Sequence, residues 1–225
     1  MNATPITIAV DENTQVSGLL RASNDAEFCF VIAHGAGAGM THPSMAVVAE
    51  ELAARGVATL RYQFPYMERG SKRIDPPKVC HATVRAAVAE ASRLMPGLPL
   101  FAGGRSFGGR MTSQAQSIAP LDTVRGLVFL AFPLHPAKKP SDERAEHLFD
   151  VTIPMLFLQG TKDDLAFMGL LEPVVQRLGS RATLILAPDA DHSFHVPARS
   201  GRKDADVRAE LLDAMVRWMM AQMRQ

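Results

Sequence analysis

Short apolar runs alternate with segments of helical periodicity along almost the whole chain. The runs are continuous, as in Phe-Cys-Phe-Val-Ile-Ala at 28–33, which is typical of strands buried on both faces of a parallel sheet. Towards the C-terminus, apolar residues such as Leu211, Met215 and Trp218 recur at three- and four-residue steps, which indicates one buried helix face. The pattern predicts strands at 6–10, 15–22, 27–33, 57–61, 98–102, 127–131, 155–158 and 183–186, and helices at 43–55, 79–94, 106–118, 168–178 and 204–223.

The order of these elements predicts an α/β fold. Most strands are followed by a helix, which favours a mostly parallel central sheet of about seven to eight strands with helices on both faces. The first two strands, joined by a turn at 11–13, are close enough in sequence to form an antiparallel edge. Two irregular stretches, 63–77 and 133–153, are rich in proline and charge but too short to be domains. We therefore expect a single α/β domain over 1–225.

Composition excludes several functional classes. The 225 residues are 47% hydrophobic, and 24 Lys+Arg nearly balance 23 Asp+Glu, which argues against a nucleic-acid partner. The longest apolar run is far below the ~18–20 residues of a membrane-spanning helix, and the first residues lack the pattern of a secretory signal. Two cysteines, Cys29 and Cys80, suit neither a disulfide scaffold nor a metal site. The sequence predicts a cytoplasmic globular protein with neither a nucleic acid nor a membrane as partner.

A candidate nucleophile lies at the junction between the strand 98–102 and the helix 106–118. Gly-Arg-Ser-Phe-Gly at 104–108 fits G-x-S-x-G in the strand–turn–helix context that this motif requires. Small residues on either side let a serine sit on a sharp turn, and the helix N-terminus behind Ser106 favours the anion formed on attack. The alternative is a glycine-rich turn in which Ser106 only caps the helix.

A serine nucleophile needs a base, and the base needs an orienting carboxylate. Asp163 follows the strand 155–158, and His192 lies in the loop after the last strand, so both are expected at the same sheet edge as Ser106. The chain order is Ser, Asp, His, as in one of the known triad orders. Asp164, which is expected to open the next helix, and His195, a candidate surface residue, are the alternatives. Two further carboxylates are expected only to shape the loop that carries His192, below called the histidine loop: Asp189 and Asp191.

The oxyanion formed by attack on a carbonyl needs two N–H donors. One is expected from Phe107, directly after the nucleophile, and the other from the glycine-rich loop that follows the third strand. In that loop Ala36 is the favoured donor over Gly37, and His34 is expected to hold the loop in shape. Four residues near these positions are candidates for contacts with a substrate: Gly37, Arg105, Tyr66 and His135.

The glycine-rich segments do not fit a nucleotide site. G-x-G-x-x-G starting at Gly35 fails because Met40 occupies the third glycine position, and no G-x-x-x-x-G-K-[ST] occurs. The seven histidines are scattered and form no H-E-x-x-H motif. No cofactor and no metal are therefore expected.

Taken together, these segments resemble the α/β-hydrolase superfamily over essentially the whole chain, and more narrowly its dienelactone-hydrolase-like branch. A group within that branch pairs His-Gly-Ala-Gly-Ala, here at 34–38, with Gly-Arg-Ser-x-Gly-x-Arg, here at 104–110. Dienelactone hydrolase itself uses a cysteine nucleophile, whereas position 106 is serine. Three further segments are similar to that group: Phe-Pro-Tyr at 64–66, Phe-Pro-Leu-His-Pro at 132–136 and Gln-Gly-Thr-x-Asp at 159–163.

The resemblance implies an α/β-hydrolase fold and a serine hydrolase, an esterase or thioesterase that cleaves a small carboxylic ester through an acyl-serine. The segment 133–153 is too short for a large cap domain, so we expect an open site. The basic residues of this segment and of 63–77 have two interpretations. They either attract an acidic substrate or are the ordinary charged residues of solvated loops. The alternative function is a catalytically idle scaffold, because a subunit of a chromatin-modifying acetyltransferase complex is also similar. The sequence leaves the oligomeric state open.

Overall fold

The computed structural model describes residues 3–22 and 25–223, whose eight strands form one sheet. The strand order is β1-β2-β4-β3-β5-β6-β7-β8; β1 and β2 run antiparallel to their neighbours, and the other strands are parallel. The predicted mostly parallel sheet with an antiparallel edge is confirmed. The strands are β1 (Thr4–Ala9), β2 (Gln15–Arg21), β3 (Phe28–Ala33), β4 (Val57–Tyr62), β5 (Leu100–Arg105), β6 (Val124–Leu130), β7 (Met155–Gly160) and β8 (Ala182–Ala187).

Helices cover both faces of the sheet, which explains why its central strands are apolar throughout. On β3, Phe28 and Phe30 pack into the layer with α1 and α6, whereas Cys29 and Val31 pack into the layer with α3, α4 and α5. Because both faces of these strands are buried, they lack the alternation of apolar and polar residues that is typical of strands with one face in solvent. The helices are α1 (Pro43–Ala53), α2 (Pro65–Glu68), α3 (Pro77–Leu94), α4 (Phe107–Ile118), α5 (Met168–Leu178) and α6 (Asp204–Gln222).

Both stretches predicted to be irregular contain a short helix. The first, 63–77, includes α2, and the second, 133–153, includes a 3₁₀ helix at Glu143–Asp150. Neither adds a layer over the sheet edge, so the described part of the chain has no large cap domain, as predicted. None of the helices within 3–22 and 25–223 is long and apolar enough to cross a membrane. The first two residues of the predicted domain, and 23–24 and 224–225, lie outside the described residues.

β5 differs from its predicted strand in that it continues three residues past the predicted end at 102. Glycines usually mark turns, but Gly104 lies within the strand, opposite Ala33 of β3. A Cβ at Gly104 would lie 2.4 Å from the Ala33 carbonyl oxygen, so only glycine allows the two strands this close. The strand therefore carries the chain to Arg105, directly before the candidate nucleophile.

The turn from β5 into α4 holds Ser106 in an unfavourable backbone conformation. Its φ of 49° and ψ of −118° lie in a region that non-glycine residues rarely occupy. The Ser106 N–H donates to the Leu130 carbonyl oxygen at 3.0 Å, which ties the turn to the end of β6. On the helix side, a Cβ at Gly108 would lie 2.5 Å from the His34 carbonyl oxygen. The turn therefore depends on glycine at 108 as well as at 104.

We expect Gly108→Ala to lower the free energy of unfolding by about 2–3 kcal/mol, because its Cβ meets backbone atoms that cannot move aside. The matched control is Gly37→Ala, whose Cβ would have no atom within 4 Å. The control should change the free energy of unfolding by less than about 0.5 kcal/mol. Urea unfolding followed by circular dichroism measures both, and equal effects of the two substitutions would contradict the packing at Gly108.

A partly buried histidine, His147, links the 3₁₀ helix to α4. The ring Nε2 of His147 lies 2.7 Å from the Ser113 hydroxyl oxygen. Burial and, to a smaller extent, the charge of Arg110 lower the pKa of His147 from 6.5 to about 4. His147 is therefore neutral in the folded protein at pH values where an unfolded chain already binds the proton.

Stability should consequently fall as pH decreases from about 6.5 towards 4, since in this window the unfolded chain binds more protons than the folded one. His147→Gln removes this titration, so its free energy of unfolding should depend less steeply on pH over the same range. Chemical unfolding at several pH values measures the slope. An unchanged slope in the variant would show that the ring is not held neutral.

Candidate active site

Three side chains from three different loops form one hydrogen-bonded chain at the carboxyl edge of the sheet. Ser106 follows β5, Asp163 follows β7 and His192 follows β8. The Ser106 hydroxyl oxygen lies 2.8 Å from Nε2 of His192, and Nδ1 of His192 lies 2.7 Å from Oδ2 of Asp163. The structure thus brings together the three residues that the sequence suggested as nucleophile, base and orienting acid.

The carboxylate of Asp163 is held by several donors at once. The residue is only 5% exposed, and its Oδ1 accepts a hydrogen bond from the Leu165 N–H at 2.8 Å. Its Oδ2 accepts from the side-chain amide of Gln159 as well as from His192. Gln159 is itself fixed, because its Oε1 accepts from the Phe132 N–H at 2.9 Å. The carboxylate oxygen that faces His192 therefore has a set position.

Sequence reasoning assigned no role to Gln159. The sequence nevertheless contained an indication of such a role. Gln159 is the polar residue in the strand Met-Leu-Phe-Leu-Gln-Gly, whose residues are all buried. A fully buried amide needs partners for its donors and its acceptor, so a polar residue inside such a strand indicates a neighbouring polar group.

The alternatives for the acid and the base lie away from the chain of hydrogen bonds. Asp164 is exposed in the turn after Asp163, and α5 starts only at Met168, so the prediction that Asp164 opens that helix is wrong. His195 is exposed and pairs with Asp204 at 2.9 Å, and this hydrogen bond raises the pKa of the imidazole. His195 is thus a surface residue, as expected.

The histidine loop owes its shape to aspartates, as predicted. Oδ1 of Asp191 accepts from the N–H groups of Ser193 and His195, at 2.7 and 3.0 Å. Asp189 has a φ of 60°, a conformation that aspartate tolerates better than most residues. Its N–H donates to the Thr161 hydroxyl at 2.9 Å.

The glycine-rich loop after β3 is fixed from beneath by His34 and Tyr66. The Phe64 N–H donates to Nε2 of His34 at 3.0 Å, which leaves the proton on Nδ1 to bond the Gly35 carbonyl oxygen at 2.7 Å. Burial lowers the pKa of His34 and keeps the ring neutral. The Tyr66 hydroxyl donates to the Ala36 carbonyl oxygen at 2.9 Å. His34 therefore holds the loop, as expected.

These bonds set the direction of the loop amides. In a trans peptide the N–H points opposite to the C=O of the same unit. Because the Gly35 carbonyl bonds back to His34, the Ala36 N–H points away from that ring. Phe107 is the first residue of α4, so its N–H has no acceptor within the helix. Its ring packs beside Phe64, with centroids 5.5 Å apart.

Two of the four residues suggested as substrate contacts need a correction. Tyr66 is 0% exposed, and its hydroxyl is used to hold the Ala36 carbonyl. His135 is 2% exposed; its Nε2 accepts from the Phe167 N–H and its Nδ1 bonds the Pro136 carbonyl oxygen. Both side chains support neighbouring loops from within the core and offer a substrate no free polar atom.

The other two suggested contacts remain near the surface. Gly37 is exposed in the loop after β3, with open space where a Cβ would be. Arg105 is partly buried, and its Nη2 donates to the His192 carbonyl oxygen at 3.1 Å and lies 3.3 Å from the Ser193 hydroxyl. Arg105 therefore connects the turn at Ser106 to the loop that carries His192.

The basic residues of the two long loops differ in their surroundings. Lys138 and Lys139 are exposed, and Arg69 pairs with Asp75 at 2.6 Å. None of the ion pairs between described residues includes Arg144 of the second loop, nor Arg110, which belongs to α4. Within 3–22 and 25–223, no three His, Cys, Asp or Glu side chains are grouped closely enough to hold a metal ion.

Comparison with solved structures shows the same fold in several proteins. A dienelactone hydrolase from Anabaena variabilis matches with a TM-score of 0.77 and 21% identity, covering 97% of both chains. An α/β serine hydrolase without a lid from Xanthomonas campestris matches with a TM-score of 0.74 and 21% identity over 97% of this chain and 95% of its own. An α/β serine hydrolase homologue from Coxiella burnetii gives 0.76 and 19% identity, over 95% and 98%.

A family model described as Alpha/beta hydrolase domain matches residues 26–220 of the sequence. This range contains all the strands from β3 onwards and the loops that carry Ser106, Asp163 and His192. The sheet order, the helices on both faces and the family match agree. The chain belongs to the α/β-hydrolase family, has the α/β-hydrolase fold of its dienelactone-hydrolase-like branch, and is a hydrolase.

Proposed function

We propose that this protein is a serine esterase or thioesterase that cleaves small carboxylic esters through a covalent acyl-serine. The observation that carries the proposal is the continuous hydrogen-bonded chain Ser106–His192–Asp163, with distances of 2.8 and 2.7 Å. These distances are within the range in which a base takes up a proton from a nucleophile. The idle-scaffold alternative gives no reason for this alignment on a strained turn.

In the first step His192 accepts the hydroxyl proton of Ser106 at Nε2 while the serine oxygen attacks the ester carbonyl carbon. The Nδ1 proton of His192 stays on the ring and bonds Oδ2 of Asp163, so the carboxylate stabilises the imidazolium that forms. Gln159 and the Leu165 N–H fix Asp163, and Arg105 fixes the histidine backbone. The base therefore needs little rearrangement before it acts.

Attack converts the carbonyl oxygen into an oxyanion, and we assign its stabilisation to the N–H groups of Phe107 and Ala36. Both N–H groups are available to donate a hydrogen bond. Phe107 begins α4, so its N–H has no acceptor within the helix, and the Ala36 N–H points away from His34. The loop that carries Ala36 is preorganised by buried bonds from His34 and Tyr66, so little reorganisation is needed when charge develops. Gly37 remains the alternative donor in this loop.

The first step ends when His192 protonates the leaving oxygen or sulfur as the ester C–O or thioester C–S bond breaks, which releases the alcohol or thiol and leaves the acyl-serine. In the second step a water takes the place of the released group. His192 takes a proton from this water, hydroxide attacks the acyl carbonyl, and the carboxylic acid leaves as Ser106 regains its proton. The residues present supply every proton transfer of this scheme.

The substrate is proposed to be a small-molecule ester rather than a polymer, with no cofactor in the reaction. The absence of a large cap over the described sheet edge supports an open site. We also infer that the chain forms a single domain, since all eight strands between residues 4 and 187 belong to one sheet. A cytoplasmic location and the absence of a nucleic-acid partner stay predictions.

The first test is labelling with a fluorophosphonate probe, which reacts with an activated serine whatever the substrate. The wild-type protein should be modified at Ser106, and Ser106→Ala should abolish labelling. His192→Ala should slow labelling by about 100-fold or more, because general-base catalysis contributes that order of magnitude. Mass spectrometry identifies the modified residue.

The matched control is His195→Ala, which removes the neighbouring exposed histidine and should leave the labelling rate within about twofold. A folded wild-type protein that is not labelled would overturn the proposal and favour the scaffold alternative. Equal loss in the two histidine variants would place the base elsewhere.

Adjacent aspartates allow the orienting acid to be tested in the same way. Asp163→Asn should lower kcat/KM for a reactive ester by about 100-fold or more, because the neutral amide cannot stabilise the imidazolium of His192 and has one acceptor oxygen where the carboxylate uses two. Asp164→Asn changes an exposed turn residue and should alter kcat/KM by less than about twofold. Stopped-flow hydrolysis of a chromogenic acetyl ester gives both values, and a larger loss in Asp164→Asn would reverse the assignment.

A further inference from the structure

Three polar side chains lie together on the face of the sheet that α1 and α6 cover. In β4, Thr59 and Arg61 alternate with residues that pack into the layer with α3, α4 and α5, so these two side chains point into the opposite layer. Arg21 of β2 lies directly opposite Thr59 in the antiparallel pair, and residues in that position share a face of the sheet. We call Arg21, Thr59 and Arg61 the polar cluster.

Each member of the polar cluster has a buried hydrogen-bond donor without an acceptor in the described part of the chain. Thr59 is 0% exposed and Arg61 5%, and the three unpaired atoms are the Thr59 hydroxyl oxygen and Nε of both arginines. Buried donors in proteins nearly always have a partner. Three unpaired donors on neighbouring positions therefore indicate an acceptor that the chain itself does not supply.

The polar cluster also carries more positive than negative charge. Glu50 of α1 is the nearby carboxylate: its Oε1 lies 3.7 Å from Nη2 of Arg21, and its side chain is mostly exposed. None of the ion pairs within 3–22 and 25–223 includes Arg61. Burial and the charge of Arg21 lower the pKa of the Arg61 guanidinium, as expected for a cation without a counterion. Two positive charges thus face one carboxylate, which leaves one positive charge without compensation.

We propose that the polar cluster binds a small monovalent anion of about the size of chloride. The Thr59 hydroxyl and the Nε–H groups of Arg21 and Arg61 donate to the ion. Its single negative charge equals the charge that the cluster leaves uncompensated. A metal cation is repelled by the two guanidinium groups, and a divalent anion such as phosphate brings more negative charge than the cluster balances. This site is separate from the ester chemistry, so it does not depend on the proposed function.

The same ion also fixes one end of the glycine-rich loop after β3. Nη1 of Arg61 donates to the Met40 carbonyl oxygen at 3.0 Å, and the side-chain oxygen of Gln63 accepts the Met40 N–H at 2.9 Å. Both polar groups of the Met40 backbone are thus held by side chains at the end of β4. A guanidinium that binds an anion through Nε keeps Nη1 in place for Met40, so anion binding stabilises this end of the loop.

Crystals grown without halide and then soaked in sodium bromide test the site directly, because bromide scatters anomalously and replaces chloride. We expect an anomalous peak in contact with the Thr59 hydroxyl oxygen and with Nε of Arg61. A water molecule at the cluster in the soaked crystals, with no anomalous peak there, would overturn the proposal.

Thr59→Val tests the site in solution, because valine has the shape of threonine without the hydroxyl. Replacing gluconate by chloride at constant ionic strength should raise the Tm of the wild-type protein by about 3 °C or more once chloride is about tenfold above its Kd. The variant should keep a shift of about 1 °C or less, because it has lost one of the three donors. Circular dichroism during heating measures both shifts, and equal shifts in the two proteins would contradict the site.

Thr112→Val is the matched control, because Thr112 is also buried but its hydroxyl donates to the Gly108 carbonyl oxygen at 2.9 Å. This variant should have a lower Tm in both media and keep the wild-type chloride shift within about 1 °C. Loss of the shift in both valine variants would mean that chloride acts on the whole protein rather than at the cluster, which would also overturn the proposal. The bromide measurement uses the wild-type protein, so it decides the question even if Thr59→Val does not fold.

Discussion

The close approach of α4 and β5 to the carboxyl end of β3 is the constraint on which the candidate site depends. Gly104 and Gly108 both face the backbone at Ala33 and His34, at distances that leave no room for a Cβ. This contact fixes the turn at Ser106 and the start of the glycine-rich loop relative to each other. Ser106 and the Ala36 amide are therefore positioned by the same backbone packing.

Buried polar side chains extend this rigidity to the surrounding loops. His34 and Tyr66 bond the carbonyls of Gly35 and Ala36 from below, and Gln159 links Asp163 to the backbone of Phe132. A buried polar group without a partner is costly, so each such bond restricts the loop that it holds. The partly buried side chains of Ser106 and His192 are thus supported by a layer of fully buried ones.

Arg105 connects the turn at Ser106 to the loop that carries His192. Its side chain is partly buried, donates to the His192 carbonyl oxygen and lies 3.3 Å from the Ser193 hydroxyl oxygen. Burial lowers the pKa of its guanidinium, and the carboxylates of Asp163 and Asp191 partly offset that effect. The charge of Arg105 is therefore partly compensated by carboxylates of the protein itself.

The sequence by itself determined the alternation of strands and helices, the parallel sheet, and the three residues that meet at its edge. Apolar runs and the strand–turn–helix context of Ser106 are local features, and parallel strands bring their following loops to one edge. Tertiary structure alone decided that Tyr66 and His135 are buried supports, that Gln159 holds Asp163, and that β5 continues through Gly104. Those outcomes depend on contacts between residues far apart in the chain, such as Gln159 with Phe132 and Tyr66 with Ala36, and no local pattern encodes the distance between them.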